Sequence, residues 1–167
     1  AEAPEIYGEV GHGDIPPHRV FDTDFIERAA AEIESEGWCG AGGCVYVVFS
    51  DSPADLEWCR QNVPKTLRAA YFSDYVPLLS LWERCAGENG SKKRVTALTD
   101  VLDMAAISEC DGHIISPSTF SWFGAWFNEK PHRRVVVPTP WFNPEHGMSE
   151  SRTDTMHPSD WREIPLN

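Results

Sequence analysis

The chain has 167 residues, the size of one folded domain. Its hydrophobic fraction of 41% and charged fraction of 24% exclude a disordered tail, a collagen-like chain and a small disulfide scaffold. The net charge of −12 argues against nucleic acid as a partner, and the basic runs at 92–94 and 133–134 are either solvated segments or local anion sites. No apolar run reaches the roughly 18 residues of a membrane span, and no targeting segment is recognised. Because the chain starts at Ala1 without a methionine, we expect a fragment of a longer protein.

The first third of the chain predicts a helix, a strand and a second helix. Residues 1–22 show no periodicity, whereas 23–36 carry an apolar stripe of period 3.6 that begins at a capping residue, Thr23, and ends at Gly37. The continuous apolar run 45–49 predicts a strand buried on both faces, as in a parallel sheet. Ser52 and Pro53 then predict the start of a helix that runs to about residue 62.

The remaining elements alternate in the same way. Short strands are predicted at 67–72, 94–98, 113–116 and 133–137, and helices at 100–110 and 118–128, the latter capped by Ser118. Residues 73–92 are expected to be irregular, the last strand to end at Pro138 and Pro140, and the rest to be loop with a turn near 158–161. This alternation predicts an α/β domain with a parallel sheet, whose ligand sites would follow the strands at 50–52 and 116–119.

Cysteines and short motifs exclude several classes of protein. The five cysteines form no CxxC pair, which argues against zinc ribbons and thioredoxins, and their odd number argues against a closed disulfide framework. Cys44, Cys59 and Cys110 lie among apolar residues and are expected to be buried. The motifs GxGxxG, GxxxxGK[ST], GxSxG and HExxH do not occur, which weakens dehydrogenase, kinase, α/β-hydrolase and zinc-protease hypotheses.

One segment has a more specific pattern: DMAAISEC at 103–110, two isoleucines at 114–115, and SPSTFSWFGAW at 116–126. It resembles the C-terminal signature of the α1,2-fucosyltransferases, the family 11 glycosyltransferases. VFSD at 48–51 with EWC at 57–59, and PTPWF at 138–142, resemble two further blocks of that family. The resemblance covers residues 44–142 in order and spacing.

The resemblance implies a Rossmann-like parallel sheet forming the C-terminal, donor-binding half of a GT-B-like glycosyltransferase. Residues 23–167 would be the nucleotide-sugar-binding domain, and 1–22 an irregular remnant of the motif that joins an N-terminal domain. The implied activity is inverting transfer of L-fucose from GDP-fucose to a galactose hydroxyl of a glycan, without a metal or another cofactor. This segment would contact neither nucleic acid nor membrane. The whole protein would be in the Golgi lumen if eukaryotic, and in the cytoplasm if bacterial.

Six residues are candidates for binding the donor nucleotide. Helix N-termini bind pyrophosphate through free amides, and a carboxylate can accept two hydrogen bonds from guanine. The structural alternatives are that Ser118 only caps a helix, that Asp103 is a solvated first-turn acid, and that Asp51 caps the next helix. Trp126 is expected to pack in the core, and His113 and His132 to be structural. The candidates are Asp103, Ser118, Thr119, Phe120, Ser121 and Asp51.

The catalytic residues are unknown at this point. The family's arginine motif, H-x-R-R-G-D, would align with residues 9–14, where Gly13 and Asp14 remain but both arginines are missing. Arginine stabilises a departing diphosphate by its charge. An alternative hypothesis is therefore a catalytically silent or truncated module that binds a GDP-sugar. A third is an unrelated Rossmann-like domain that binds another nucleotide-sugar.

Overall fold

The computed structural model describes residues 23–50, 53–75, 92–142 and 156–166 of the chain. The helices are α1 (Thr23–Glu34), α2 (Pro53–Asn62), α3 (Lys92–Ser108) and α4 (Thr119–Trp126). The strands are β1 (Tyr46–Val48), β2 (Ala69–Tyr71), β3 (Gly112–Ile114), β4 (Arg134–Thr139) and β5 (Arg162–Pro165). Short 3-10 turns follow α1 at Ser35–Gly37 and β2 at Phe72–Tyr75.

All described strand pairs are parallel, so the predicted α/β class with a parallel sheet is confirmed. β1 pairs with β2, and β3, β4 and β5 form a separate three-stranded sheet with β4 in the middle. The β3–β4 register places His113 opposite Val135, and the β4–β5 register places Pro138 opposite Ile164. Helices precede or follow the strands as a Rossmann-like arrangement requires.

Two apolar clusters cover the two faces of the three-stranded sheet. On one face the predicted stripe of α1 packs on alternate residues of β4 and β5; the buried members are Phe25, Ala29, Ile33, Val136, Ile164 and Leu166. On the other face α4 and the segment around Trp161 cover the intervening residues; the buried members are Ile115, Ala125, Val135, Val137, Trp141 and Trp161. Burial on both faces explains the continuous apolar run of β4.

The first helix is confirmed nearly as predicted. α1 begins at Thr23, so the residue predicted as the cap is the first helical residue, and the helix continues as a 3-10 turn to Gly37. Gly37 has a φ of +70°, a conformation that glycine adopts without steric cost, so it ends the helix. α2 and β2 also lie within their predicted ranges, but Ser52 is outside the described residues.

The prediction that the run 45–49 is buried on both faces is wrong. Val45 is 53% and Val47 40% exposed, and β1 has intermediate or exposed residues throughout. Among the described strands β1 pairs with β2 alone, and residues of β1 line a cavity. The apolar run 45–49 therefore corresponds to a strand that borders a cavity, and not to a strand buried on both faces.

The predicted strand at 94–98 is also wrong, because these residues belong to α3. A short apolar run does not distinguish a strand from a buried helix. No glycine or proline interrupts 92–108, so the helical pattern recognised from residue 100 onward extends back to Lys92. Trp82 and Cys85, predicted to pack in the irregular segment 73–92, lie outside the described residues.

Two predictions near the C-terminal end need correction. Pro138 does not end β4 but lies within it, opposite Ile164. Ile115 N–H donates to Val136 O at 3.0 Å, and in a parallel ladder the next bond toward β3 would come from the amide of residue 138, which proline lacks. The tail is not all loop either: after the predicted turn, residues 162–165 form β5. The sequence did not predict this strand because only Ile164 is buried and its polar residues are exposed.

The cysteine prediction was partly wrong. Cys44 forms a disulfide with Cys39, with their Cα atoms 5.0 Å apart, and both side chains pack against the α1 cluster. Cys59 is a buried free thiol, as expected, whereas Cys110 is only half-buried. No helix within the described ranges is long and apolar enough to cross a membrane.

Candidate functional site

A cavity of about 470 Å³ lies between β1 and β3. Its walls include residues 46–50 from the first strand and 112–116 from the second, so it occupies the place where the two parallel sheets do not pair. α1 and α2 contribute Ile26, Trp58 and Cys59, and α3 and α4 complete the other wall. The carboxyl ends of both strands, at Ser50 and Ser116, therefore open into one space.

Four of the six predicted nucleotide-binding residues line this cavity: Asp103, Ser118, Phe120 and Ser121. Thr119 is the exposed first residue of α4 and is not among the lining residues. Asp51 and the stretch 9–14 lie outside the described residues. Residues separated by fifteen positions in the sequence, Asp103 and Ser118, are thus brought to the same cavity by α3, β3 and α4.

The N-terminus of α4 is held in place by its own serines. Ser118 is the N-cap, and its hydroxyl accepts from the Phe120 amide at 3.2 Å. The Ser121 hydroxyl lies 2.9 Å from Ser116 O, 3.0 Å from Ser118 O and 3.0 Å from the Ser116 hydroxyl. Its single proton can serve only one acceptor at a time, so Ser121 mainly fixes the turn before the helix.

This arrangement places the first turn of α4 beside the cavity. The first amides of a helix have no acceptor within it, and the Ser118 hydroxyl satisfies only that of Phe120. The positive end of the helix dipole lies at the same place. The geometry is that of an anion-binding helix terminus beside a cavity, and it does not depend on the hydroxyl of Ser121.

The opposite wall, formed by α3, is acidic. Asp100 and Asp103 are one turn apart on this helix, and both line the cavity together with Ile107 and Cys110. Asp103 is half-buried and already interacts within the protein. Among the described lining residues these two aspartates are the only charged side chains.

The neighbouring arginines of the 133–134 run do not reach the cavity. Arg134 Nη1 lies 3.0 Å from Ser35 O and 3.2 Å from Glu32 O, so it caps the C-terminal end of α1. Arg133 Nη2 is 3.5 Å from an Asp160 carboxylate oxygen. Their alternative interpretation as an anion site is therefore not supported; they are structural.

His113 lines the cavity but is uncharged. Its side chain is 5% exposed, and its Nε2 lies 2.7 Å from the Asn128 amide nitrogen, which also donates to Cys110 O at 2.6 Å. Asn128 Nδ2 is a donor, so Nε2 accepts and the proton of the neutral ring is assigned to Nδ1. Burial, with a smaller effect of Arg133 and Lys130, lowers the pKa of His113 to about 4. The expectation that His113 is structural agrees with this packing.

Sequence reasoning missed the apolar part of the cavity. Tyr46, Phe49, Trp58 and Cys59 line it, although the first two were expected only to fill a strand. The Tyr46 hydroxyl donates to Glu34 Oε1 at 2.8 Å, and burial followed by this bond raises its pKa. Burial also raises the pKa of the Cys59 and Cys110 thiols. The sequence contained one indication of this lining: residues 57–59 match a block of the family, but the sequence alone assigns that block no role.

The prediction that Trp126 packs in the core is wrong. Its side chain is 50% exposed and stacks on Trp122, with ring centroids 5.2 Å apart. Trp122 lies between it and the sheet-covering cluster, where its Nε1 donates to Met156 O at 3.0 Å. Of the two tryptophans four residues apart on α4, only Trp122 is therefore in contact with the core.

The fold and this site define a class of protein. Parallel strands whose carboxyl ends open into one cavity, beside the N-terminus of a helix, are typical of α/β domains that bind nucleotides or other phosphorylated ligands. The sequence profile of glycosyl transferase family 11 matches residues 16–162, and the chain belongs to this family.

Two curated relatives are from Escherichia coli. The chain is 31% identical over 125 residues to the O-antigen biosynthesis glycosyltransferase WbnK, covering 75% of this chain and 32% of the relative. It is 33% identical over 101 residues to an alpha-1,2-colitosyltransferase, covering 60% of this chain and 27% of the relative. The chain thus spans about a third of the length of these relatives. No solved structure matches it significantly.

Proposed function

We propose that the protein takes part in inverting transfer of L-fucose from GDP-fucose to a galactose hydroxyl of a glycan, and that the cavity between β1 and β3 is the donor site. The observation that carries the proposal is the convergence of Asp103, Ser118, Phe120 and Ser121 on this cavity. Membership of glycosyl transferase family 11 supports a sugar-transfer reaction with a nucleotide-sugar donor.

In this proposal the two ends of the nucleotide meet different walls. The pyrophosphate lies at the N-terminus of α4, where the Thr119 and Ser121 amides and the helix dipole favour an anion. The guanine lies toward α3, where the Asp103 carboxylate accepts two hydrogen bonds from its edge, an arrangement that adenine cannot satisfy. In this proposal Asp51, in the segment that follows β1, also contacts the donor nucleotide.

The apolar lining suits the remainder of the donor. Phe49 and Phe120 provide aromatic surface at the carboxyl edge of the strands, and a cavity of about 470 Å³ lies in the size range of small-ligand sites. The donor binds without a metal ion in this proposal. The sugar itself is fucose or a related deoxy sugar, since one relative is a colitosyltransferase.

The acceptor site lies elsewhere in a GT-B-like protein, of which this chain is the C-terminal, donor-binding half. The chain spans about a third of the length of its relatives. In this proposal the glycan acceptor and the residues that activate its hydroxyl belong to another part of the protein.

A catalytically silent GDP-sugar-binding module is the second candidate, and one observation favours it. The described lining of the cavity carries two aspartates and no arginine or lysine. Loss of one donor that stabilises a developing negative charge typically reduces kcat by about 10²–10³. A chain that binds GDP but transfers no fucose, even when joined to an acceptor domain, would be such a module.

Calorimetric titration with GDP and GDP-fucose, in the absence of metal, tests the donor site, with ADP and UDP as controls. We expect saturable binding of the guanine nucleotides only. Equal binding of all four nucleotides would contradict guanine recognition, and binding of none would contradict a donor site in this chain.

Asp103→Asn tests the residue assigned to guanine, and Asp100→Asn is its matched control because it changes another carboxylate on the same wall. Hydrogen bonds to a charged group contribute about 1.5–3 kcal/mol, so we expect GDP affinity to fall roughly 10- to 150-fold in Asp103→Asn only. Since Asp103 also interacts within the protein, thermal unfolding of both variants is compared. An equal loss in the two variants would show a general charge effect.

A further inference from the structure

The turn between α1 and β1 is closed by the disulfide between Cys39 and Cys44, whose Cα atoms are 5.0 Å apart. Residues 39–44 are termed the disulfide turn. The four residues inside it are exposed, and both cysteines are half-buried. Gly40 and Gly43 have positive φ, and no atom lies within 4 Å of a methyl group placed on either. The disulfide turn thus lies at the surface, where a small dithiol can reach it.

The residue before the disulfide turn is fixed on the three-stranded sheet. Trp38 Nε1 donates to His132 O at 3.2 Å, and the Arg134 guanidinium carbon lies 5.6 Å from the centre of the Trp38 ring. The ring also lies against β3, because a methyl group on Gly112 would come within 2.8 Å of it. Both cysteines of the turn pack against the same apolar cluster as Trp38. The start of the turn is therefore held by contacts that do not involve the disulfide.

The residues after the disulfide turn belong to the wall of the cavity. β1 begins two positions after Cys44, and residues 46–49 line the cavity. In the described sheets β1 pairs with β2 and not with β3, so no ladder fixes the distance between these two walls. The Tyr46 hydroxyl donates to Glu34 Oε1 at 2.8 Å, which ties β1 to α1. The position of β1 opposite β3 therefore depends on this hydrogen bond and on the disulfide.

Opening the disulfide would remove the covalent part of this attachment. The turn contains three glycines, which gain the most backbone freedom when closure is released. Covalent closure of so short a loop favours its ordered form by roughly 20- to 40-fold. The hydrogen bond between Tyr46 and Glu34 is exposed to water and contributes less. Arg68 Nη1 donates to Gly42 O at 2.9 Å, so the opened turn would move together with β1 and the segment before β2.

We propose that the disulfide turn is a redox-sensitive device that sets the width of the cavity: the disulfide holds β1 opposite β3, and its reduction releases β1. A dithiol supplies the two electrons. Its thiolate attacks one sulfur to form a mixed disulfide, and its second thiol then displaces the remaining cysteine. Cys39 and Cys44 end as thiols that carry the two protons of the dithiol, which becomes a disulfide. Control of donor binding by this step rests on the proposed function, whereas movement of β1 does not.

The thiol of Cys59 reports on this movement without any nucleotide. It is a buried free thiol that lines the cavity from α2, and burial raises its pKa, so iodoacetamide should label it slowly in the natural chain. In Cys39→Ser/Cys44→Ser we expect labelling of Cys59, measured by peptide mass spectrometry, to be at least about 10-fold faster. Ala41→Ser is the matched control: it changes an exposed residue of the same turn, keeps the disulfide and should label like the natural chain.

Labelling at several low urea concentrations separates movement of β1 from global unfolding. A rate that depends on movement of β1 alone exposes little surface and is nearly independent of urea, whereas a rate that depends on global unfolding rises steeply with urea. Equally slow labelling of Cys59 in the double variant and the natural chain would overturn the proposal. A labelling rate that follows global unfolding in the double variant would overturn it as well.

Titration with GDP tests the consequence for the donor. Dithiothreitol should weaken GDP binding by the natural chain roughly 10-fold and leave the already weaker binding of the double variant unchanged. An unchanged Kd in the reduced natural chain would rule out control of donor binding. If neither redox form binds GDP, the donor-site proposal fails, and the labelling of Cys59 still decides whether the disulfide turn holds β1.

The natural chain, reduced after folding, replaces the double variant if the latter does not fold. The dithiol is removed by gel filtration before iodoacetamide is added, and the oxidised chain passed through the same column is the control. Cys59 should again be labelled at least about 10-fold faster in the reduced chain. Equal rates in the two forms would refute the proposal.

Discussion

The imidazole of His113 shows how one buried residue makes the protein sensitive to acid. Its Nε2 accepts from Asn128, and protonation would place a second donor against that amide. Burial lowers the pKa of His113 from 6.5 to about 4. The same amide of Asn128 also holds Cys110 O, so the pair connects the end of α4 with the loop before β3.

The free energy of unfolding should therefore fall as the pH is lowered. Between the unfolded pKa of 6.5 and the folded value of about 4, the unfolded chain binds a proton that the native chain does not. Stability is thus fully present above pH 6.5, is lost as the pH falls through this window, and levels off below about 4. The shift corresponds to roughly 3 kcal/mol.

Urea unfolding of the natural chain and of His113→Gln, at several pH values in this window, measures the effect. Glutamine retains an acceptor for Asn128 but does not titrate, so its stability should depend less steeply on pH, by up to one proton. Burial also lowers the pKa of His157, and this contribution is the same in both proteins. Equal slopes in the two proteins would contradict the assignment to His113.

Individual residues were predictable from sequence where their role is local. Ser118 was recognised as a cap because capping needs only the residue and the helix that follows, and the structure shows its bond to the Phe120 amide. Trp126 was misplaced because its exposure depends on what packs outside α4, which the helical pattern does not contain. The nucleotide-binding roles of Asp103 and its partners remain predictions.

At the scale of elements, α3 and α4 are held together by a close contact between Gly124 and Ile107. A methyl group on Gly124 would collide with the Ile107 Cγ2 methyl, so Gly124→Ala should destabilise the protein by about 1–3 kcal/mol. Gly42→Ala is the control, because no atom lies within 4 Å of a methyl group placed there. Denaturant unfolding of the two variants makes the comparison.

A double-mutant cycle with Ile107→Ala tests the cause of that loss. Removing the Ile107 side chain vacates the space that the new methyl group needs, so the double variant should lose less stability than the sum of the two single variants. Strict additivity would mean that Gly124 is required for a reason other than its contact with α3.

The elements themselves were predictable in proportion to their internal pattern. α1 carries an apolar stripe and α2 begins with a proline, and their observed bounds follow the prediction. The segment 94–98 and β5 were missed because each is short, and tertiary pairing decides the state of such segments. The gap between β1 and β3, which creates the cavity, leaves no pattern in either strand.

At the scale of the whole molecule, the C-terminal strand completes the face of the sheet that α1 covers. Ile164 and Leu166 are buried against α1, and Leu166 N–H donates to Thr139 O at 2.7 Å. Removal of residues 162–167 should abolish cooperative thermal unfolding, because two buried side chains alone contribute roughly 3–6 kcal/mol of a marginal total. Removal of Asn167 alone is the control and should leave the transition in place. A truncated chain that still melts cooperatively would show that β5 is dispensable.

Pro138 also limits how the sheet can grow. Lacking an amide proton, it offers no bond that could draw the residues after Ile115 into a longer β3. The chain is consequently released from the ladder at Ile115 and is free to turn through Ser116 and Ser118 into α4. The missing amide proton of Pro138 in β4 thus determines where β3 ends. The end of β3 in turn determines where α4 and its free amides begin.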